Sequence, residues 1–104
     1  MAIHKINLDD NGSKISIADG DTIIIELPEN PTTGYMWIIK NSKTEQITEK
    51  SNSYTSTSTG IGSGGTRIFE FIVKTGGGES IILDNVQRWN NDIYQTFQLR
   101  YTFD

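Results

Sequence analysis

Thr96-Phe97-Gln98-Leu99-Arg100-Tyr101-Thr102-Phe103 ends the chain, one residue short of its terminus, on a strict alternation. Phe97, Leu99, Tyr101 and Phe103 fall on one side of an extended backbone, and Thr96, Gln98, Arg100 and Thr102 on the other. Successive side chains of a strand point to opposite faces, so this stretch reads as an antiparallel strand with one face buried and one in water. Working back from it, further strands are read at 3 to 9, 14 to 18, 21 to 28, 35 to 40, 46 to 54, 66 to 74 and 79 to 86. No segment carries the spacing of an amphipathic helix.

The connections carry turn chemistry: Asp10-Asn11-Gly12, Asp19-Gly20-Asp21, Asn30-Pro31-Thr32-Thr33-Gly34, a Ser/Thr/Gly stretch from Thr55 to Gly65, Gly76-Gly77-Gly78, and Trp89-Asn90-Asn91-Asp92. Short strands at this spacing predict an all-β fold, an antiparallel β-sandwich of about 7–8 strands. A length of 104 residues fits one domain, 1–104.

Composition narrows the function. At 35% hydrophobic and 10% aromatic the chain is too rich in apolar side chains for disorder. A net charge of −4 with nine basic residues argues against nucleic acid or anionic membrane and for a protein or small-molecule partner. With no cysteine there is no disulfide, no thiolate nucleophile and no thiol ligand. His4 is the sole histidine, and Glu26, Glu29, Asp84 and Asp92 are scattered, so no metal set, cofactor or acid–base pair is expected and the chain reads as a non-enzyme. Asn11-Gly12-Ser13 matches a glycosylation sequon, a triplet frequent by chance. Met1 to Lys5 show neither a basic n-region nor an apolar h-region, and no apolar run reaches ~20 residues. A cytoplasmic monomer is expected from the chain as given, or a lysosomal, vesicular or secreted one if a leader is removed.

Strand parity adds an arrangement. If strands from Thr22 onward alternate in direction, the connections at 29 to 34, 55 to 65 and 87 to 94 emerge at one end, and those at 19 to 21, 41 to 43 and 76 to 78 at the other. In the first loop Pro31 fixes its own φ and pushes Asn30 toward extended geometry, while Gly34 tolerates positive φ, so the loop loses little freedom when gripped. The second, Gly60-Ile61-Gly62-Ser63-Gly64-Gly65, presents a lone Ile61 on a slender glycine loop, suited to a partner's apolar pocket. The third, Gln87-Arg88-Trp89-Asn90, offers a guanidinium and an indole, both enriched at interface hot spots. Trp37, in the middle of Tyr35-Met36-Trp37-Ile38-Ile39, is read as core, and Tyr35 as a buried anchor of the first loop.

In this order, the three loops resemble the chagasin family of cysteine-peptidase inhibitors. Its Asn-Pro-Thr-Thr-Gly-aromatic signature is matched fully by Asn30 to Tyr35, and its Gly-x-Gly-Gly loop by Gly62-Ser63-Gly64-Gly65. Its Arg-Pro-Trp signature is matched in part by Gln87-Arg88-Trp89. The resemblance implies an immunoglobulin-like sandwich that reversibly and tightly occludes the cleft of papain-like cysteine peptidases, such as papain or cathepsin L-like enzymes. It places Asn30, Pro31, Thr32, Thr33 and Gly34 over the catalytic cysteine and histidine with no scissile bond offered. Ile61, Gly62, Ser63, Gly64 and Gly65 would run along the unprimed side, with Ile61 near the apolar specificity pocket. Gln87, Arg88 and Trp89 would close the footprint, the indole stacking on an aromatic surface.

Gln87 at the family's arginine position removes a charge-assisted hydrogen bond, and Arg88 at its proline removes a backbone restraint. Neighbouring side chains on an extended backbone point oppositely, so altered selectivity rather than lost inhibition is expected. The competing readings are a carbohydrate-binding module, which needs a second exposed aromatic beside Trp89 such as Tyr94, and an adhesive immunoglobulin-like domain.

Overall fold

The computed structural model describes residues 2–30, 33–40, 47–56, 64–74, 80–87, 89 and 92–103. Among these are eight strands: β1 (Ile3–Asn7), β2 (Lys14–Ile17), β3 (Asp21–Glu29), β4 (Tyr35–Ile39), β5 (Ile47–Ser56), β6 (Gly65–Val73), β7 (Ser80–Gln87) and β8 (Asp92–Phe103). They form two four-stranded sheets, ordered β1-β3-β6-β5 and β2-β8-β7-β4, the sandwich expected from alternation. Every segment read as a strand is one. β1 stops at Asn7 because Asn7 caps a 3₁₀ turn over Leu8–Asp10: its Oδ1 accepts from the Asp9 amide at 2.9 Å, and Asp10 Oδ2 accepts from the Asn7 amide at 3.0 Å.

Pairing is not antiparallel throughout. β1 runs parallel to β3 and β2 parallel to β8, while the other four pairs are antiparallel. The short β1 and β2 thus add an edge to each sheet in turn. Asn11, the sequon asparagine, sits between them with its amide engaged at both ends, Oδ1 accepting from the Gln98 amide at 2.9 Å and Nδ2 donating to the Thr96 carbonyl at 3.3 Å. It works as a turn brace against β8.

The inner faces meet as the alternation requires. Ile23, Ile25 and Leu27 of β3, Phe69, Phe71 and Val73 of β6, Ile81 and Leu83 of β7, and Phe97 and Leu99 of β8 are all within 1% of full burial, as is Trp37. Each such side chain contributes about 1.5–3 kcal/mol over its exposed state, and together they fix which face of these five strands turns inward.

His4 acquires a partner that sequence did not show. Asp21, buried at the start of β3, accepts from the Ala2 amide, the Ala18 amide and, when that nitrogen carries a proton, His4 Nε2, each at 2.9 Å. These bonds, that from His4 foremost, hold the Asp21 carboxyl far below the ordinary carboxylate range. A depressed folded pKa contributes stability above the unfolded value of about 3.9 and loses it as the pH falls below that. Thermal melts from pH 5 down to pH 2 should therefore drop more steeply for the parent than for Asp21→Asn; parallel curves would refute the assignment.

Candidate functional site

The described residues of the three connections that parity placed together do meet at one end. In the first, Asn30, Thr33 and Gly34 are described, and Pro31 and Thr32 lie outside the described residues. The Asn30 carbonyl accepts from the Thr33 amide at 3.2 Å and from Thr33 Oγ1 at 2.7 Å, and that hydroxyl in turn accepts from the Tyr35 amide at 3.3 Å. Gly34 has φ +82°, the left-handed region that favours glycine.

The second loop is described only at its return stem, Gly64 and Gly65; Ile61, Gly62 and Ser63 lie outside the described residues. Gly64 abuts the first loop so closely that a Cβ there would stand 3.1 Å from the Glu29 carbonyl oxygen and 3.6 Å from Asn30 Cβ. Gly65 is not a loop residue. It opens β6, pairs with both Glu29 and Ser56, and is buried under the Tyr54 ring, where a Cβ would come within 2.7 Å of Cζ. Its part is to hold the stem, because the Thr55 carbonyl and the Tyr54 ring take the space a side chain would need.

In the third loop Gln87 and Trp89 are described and Arg88 is outside the described residues. The Trp89 indole lies over Gly34, where a Cβ would meet Cζ3 at 2.6 Å and Cζ2 at 2.8 Å, yet 71% of the residue remains exposed. It therefore does not cap the core. Gln87 Nε2 makes a long hydrogen bond, 3.4 Å, to the Thr33 carbonyl. The amide at the family's arginine position thus turns toward the first loop.

Glu29, one of the carboxylates scattered in the sequence, and Arg67 set the base of this edge. Glu29, at the end of β3, accepts from Arg67 Nη2 at 2.7 Å and from Nε at 3.1 and 3.2 Å, and its Oε2 also accepts from the Trp37 amide of β4 at 2.9 Å. One buried carboxylate thus joins both flanks of the first loop and both sheets. Trp37 Nε1 adds a 2.9 Å bond to the Pro28 carbonyl, and Arg67 reaches Asn52 Oδ1 at 3.0 Å with its guanidinium 5.6 Å from the Tyr54 ring centroid. The phase of alternation could have found the pair: Glu29 shares a face with Ile23, Ile25 and Leu27, and Arg67 with Phe69, Phe71 and Val73.

Tyr35 is half-buried rather than buried. Its hydroxyl donates to Asp92 Oδ2 at 2.7 Å and its ring lies 5.5 Å from that of Tyr94. The bond to the Asp92 carboxylate, then partial burial, raises the phenol above its ordinary value, so it remains a donor at neutral pH. The anchor runs from the first loop to the foot of the third, not into the core.

Comparison with known proteins agrees with this geometry. A model of the chagasin family of peptidase inhibitors matches residues 16–101. The chain is similar to chagasin from Trypanosoma cruzi, 34% identical over 91 residues that cover 83% of each chain. Among solved structures it is similar to amebosin, with TM-score 0.73 at 31% identity over 100% of this chain and 99% of that one. It also shares its fold with a cysteine protease inhibitor from Entamoeba histolytica, with TM-score 0.84 at 21% identity over 100% of this chain and 97% of that one.

Proposed function

This chain belongs to the chagasin family of peptidase inhibitors and is not an enzyme, and we propose that it reversibly occludes the active-site cleft of papain-like cysteine peptidases with the three loops at one end of its sandwich. The observation that carries this reading is their mutual contact: Gly64 against Asn30, Trp89 over Gly34, Gln87 on Thr33. Loops that brace one another lose less freedom on binding than three independent ones, so more of the contact energy remains as affinity.

In this reading the segment Asn30 to Gly34 is the central wedge, with Thr32 over the catalytic cysteine and histidine. Ile61 with the glycine loop lies to one side, and Trp89 to the other. Gln87 supports the wedge through Thr33 with a neutral amide in place of the family's arginine, which supports a shift in selectivity among peptidases. Titrating papain and a cathepsin L-like enzyme tests the proposal, and absence of inhibition at micromolar protein would end it.

Thr32→Asp sharpens the test. A carboxylate driven into the cleft without a partner is heavily penalised. Inhibition should weaken tenfold or more while the thermal midpoint stays within a few degrees. Unchanged inhibition would remove Thr32 from the centre of the footprint.

A further inference from the structure

We propose that Tyr94, with Ile93 beside it, both in the first residues of β8 and beyond the three signature segments, forms a fourth contact surface for the peptidase; the inference rests on the inhibitory reading above. It starts from an irregularity in the β7–β8 ladder. Asn85 faces Gln95, but the next residue, Val86, faces Ile93, so Tyr94 is the additional residue of a β-bulge. A bulge bends its strand and re-aims side chains: strict alternation would put Tyr94 on the outer face with Thr96 and Gln98 and Ile93 on the inner face with Phe97, whereas here Ile93 pairs beside Val86 and Tyr94 packs on Tyr35 at the edge.

The ring is exposed yet held. Tyr94 is 71% exposed, but it packs at 52° against Tyr35, whose hydroxyl is fixed by Asp92 two residues before the bulge. An aromatic with few rotors, already braced, gives contact area at low entropic expense on binding.

Its position is continuous with the wedge. Tyr94 lines the same open cleft, about 750 Å³, as Asn30, Thr33, Tyr35 and Gly64. Ile93, 53% exposed, ends an apolar row across the solvent face of the sheet, Met36 beside Val86 beside Ile93. Trp89, Ile93 and Tyr94 thus put three exposed large apolar side chains within six residues of sequence at the edge already assigned to the peptidase. The partner this fits is the apolar rim flanking the cysteine-peptidase cleft, next to the surface that receives Trp89.

The test is inhibition and dissociation kinetics for the parent, Tyr94→Ala and Tyr94→Phe against a panel of papain-like peptidases, with thermal melts of each. Tyr94→Ala should raise the dissociation rate about tenfold for at least one peptidase and unequally across the panel, as interface truncations act mainly on dissociation. Tyr94→Phe should stay within about twofold, since the ring makes the contact. A benzophenone amino acid at position 94 should crosslink to the bound peptidase even if the alanine variant proves unstable.

Equal constants for parent and Tyr94→Ala on every inhibited peptidase, with no crosslink at 94, would overturn the proposal and leave the three-loop reading standing. So would a Tyr94→Ala variant that keeps full inhibition but loses binding that the parent shows on a glycan array, which would give the aromatics to a carbohydrate. A parent that inhibits nothing would overturn the functional reading, and this surface with it.

Discussion

Replacing Glu29 with glutamine is expected to lower stability by about 3 kcal/mol, the scale for removing one partner of a buried ion pair. The carboxylate is 1% exposed and Arg67 only 14%, so the guanidinium left behind cannot recover its hydration. The carboxylate also serves donors from two elements at once, Arg67 and the Trp37 amide. A glutamine offers one oxygen for both, and its NH₂ group would face a donor. For a domain of this size the loss corresponds to a fall in Tm on the order of 10–20 °C.

Glu29→Gln should also weaken inhibition at temperatures where the variant is folded. Residues 29 and 37 flank the first loop, and the bond between them limits the spread of its ends. Releasing it returns conformational freedom that binding must remove again, worth roughly tenfold in the inhibition constant. Arg67→Lys separates the two effects. It keeps a charge beside Glu29 and leaves the Trp37 bond intact, so Tm should fall while inhibition changes less than for Glu29→Gln. If Glu29→Gln unfolds within about 0.5 kcal/mol of the parent, the network does not brace the edge.

Much of this molecule is legible in its sequence because burial imposes a period of two. Phe97, Leu99 and Tyr101 are buried and Thr96, Gln98, Arg100 and Thr102 are exposed, as alternation requires. Counting reversals from Thr22 agrees with the contacts among the described ends of the first, second and third loops, and the pairs β3–β6, β5–β6, β4–β7 and β7–β8 are antiparallel as it requires. The parallel partners of β1 and β2 are not legible: side-chain alternation is the same in either direction, and what chooses the partner is the 3₁₀ turn and the Asn11 brace between them. Gly65 reads as loop because glycine and serine are poor strand formers, but the Thr55 carbonyl and the Tyr54 ring need the space above it. The Glu29–Arg67 pair spans 38 residues and no local motif announces it, although its phase on two inward faces does. The exposure of Tyr94 is legible from its phase with Thr96 and Gln98, but its packing on Tyr35 is not, because the bulge between them shifts that phase.

Gly34→Ala should raise the inhibition constant about thirtyfold or more by displacing the Trp89 indole, and should lower fold stability by backbone strain at the same residue. An alanine held at the observed φ of +82° costs about 1–2 kcal/mol of left-handed strain. Its Cβ also occupies the place of the Trp89 six-membered ring, so the indole must lift from the first loop or the loop must flatten. Losing a well-placed indole at an interface costs about 2 kcal/mol or more, and about 1.4 kcal/mol is a factor of ten. Because Trp89 is 71% exposed, fold stability should register the strain alone, a fall in Tm of roughly 5–10 °C. Trp89→Ala measured in both backgrounds decides the mechanism. If glycine is required because the indole rests on it, removing the indole should matter much less once Gly34→Ala is in place, and the double-mutant cycle should show a coupling of about 1 kcal/mol or more. Strict additivity would mean that the first and third loops meet the peptidase independently, and that their contact across Gly34 contributes nothing to inhibition.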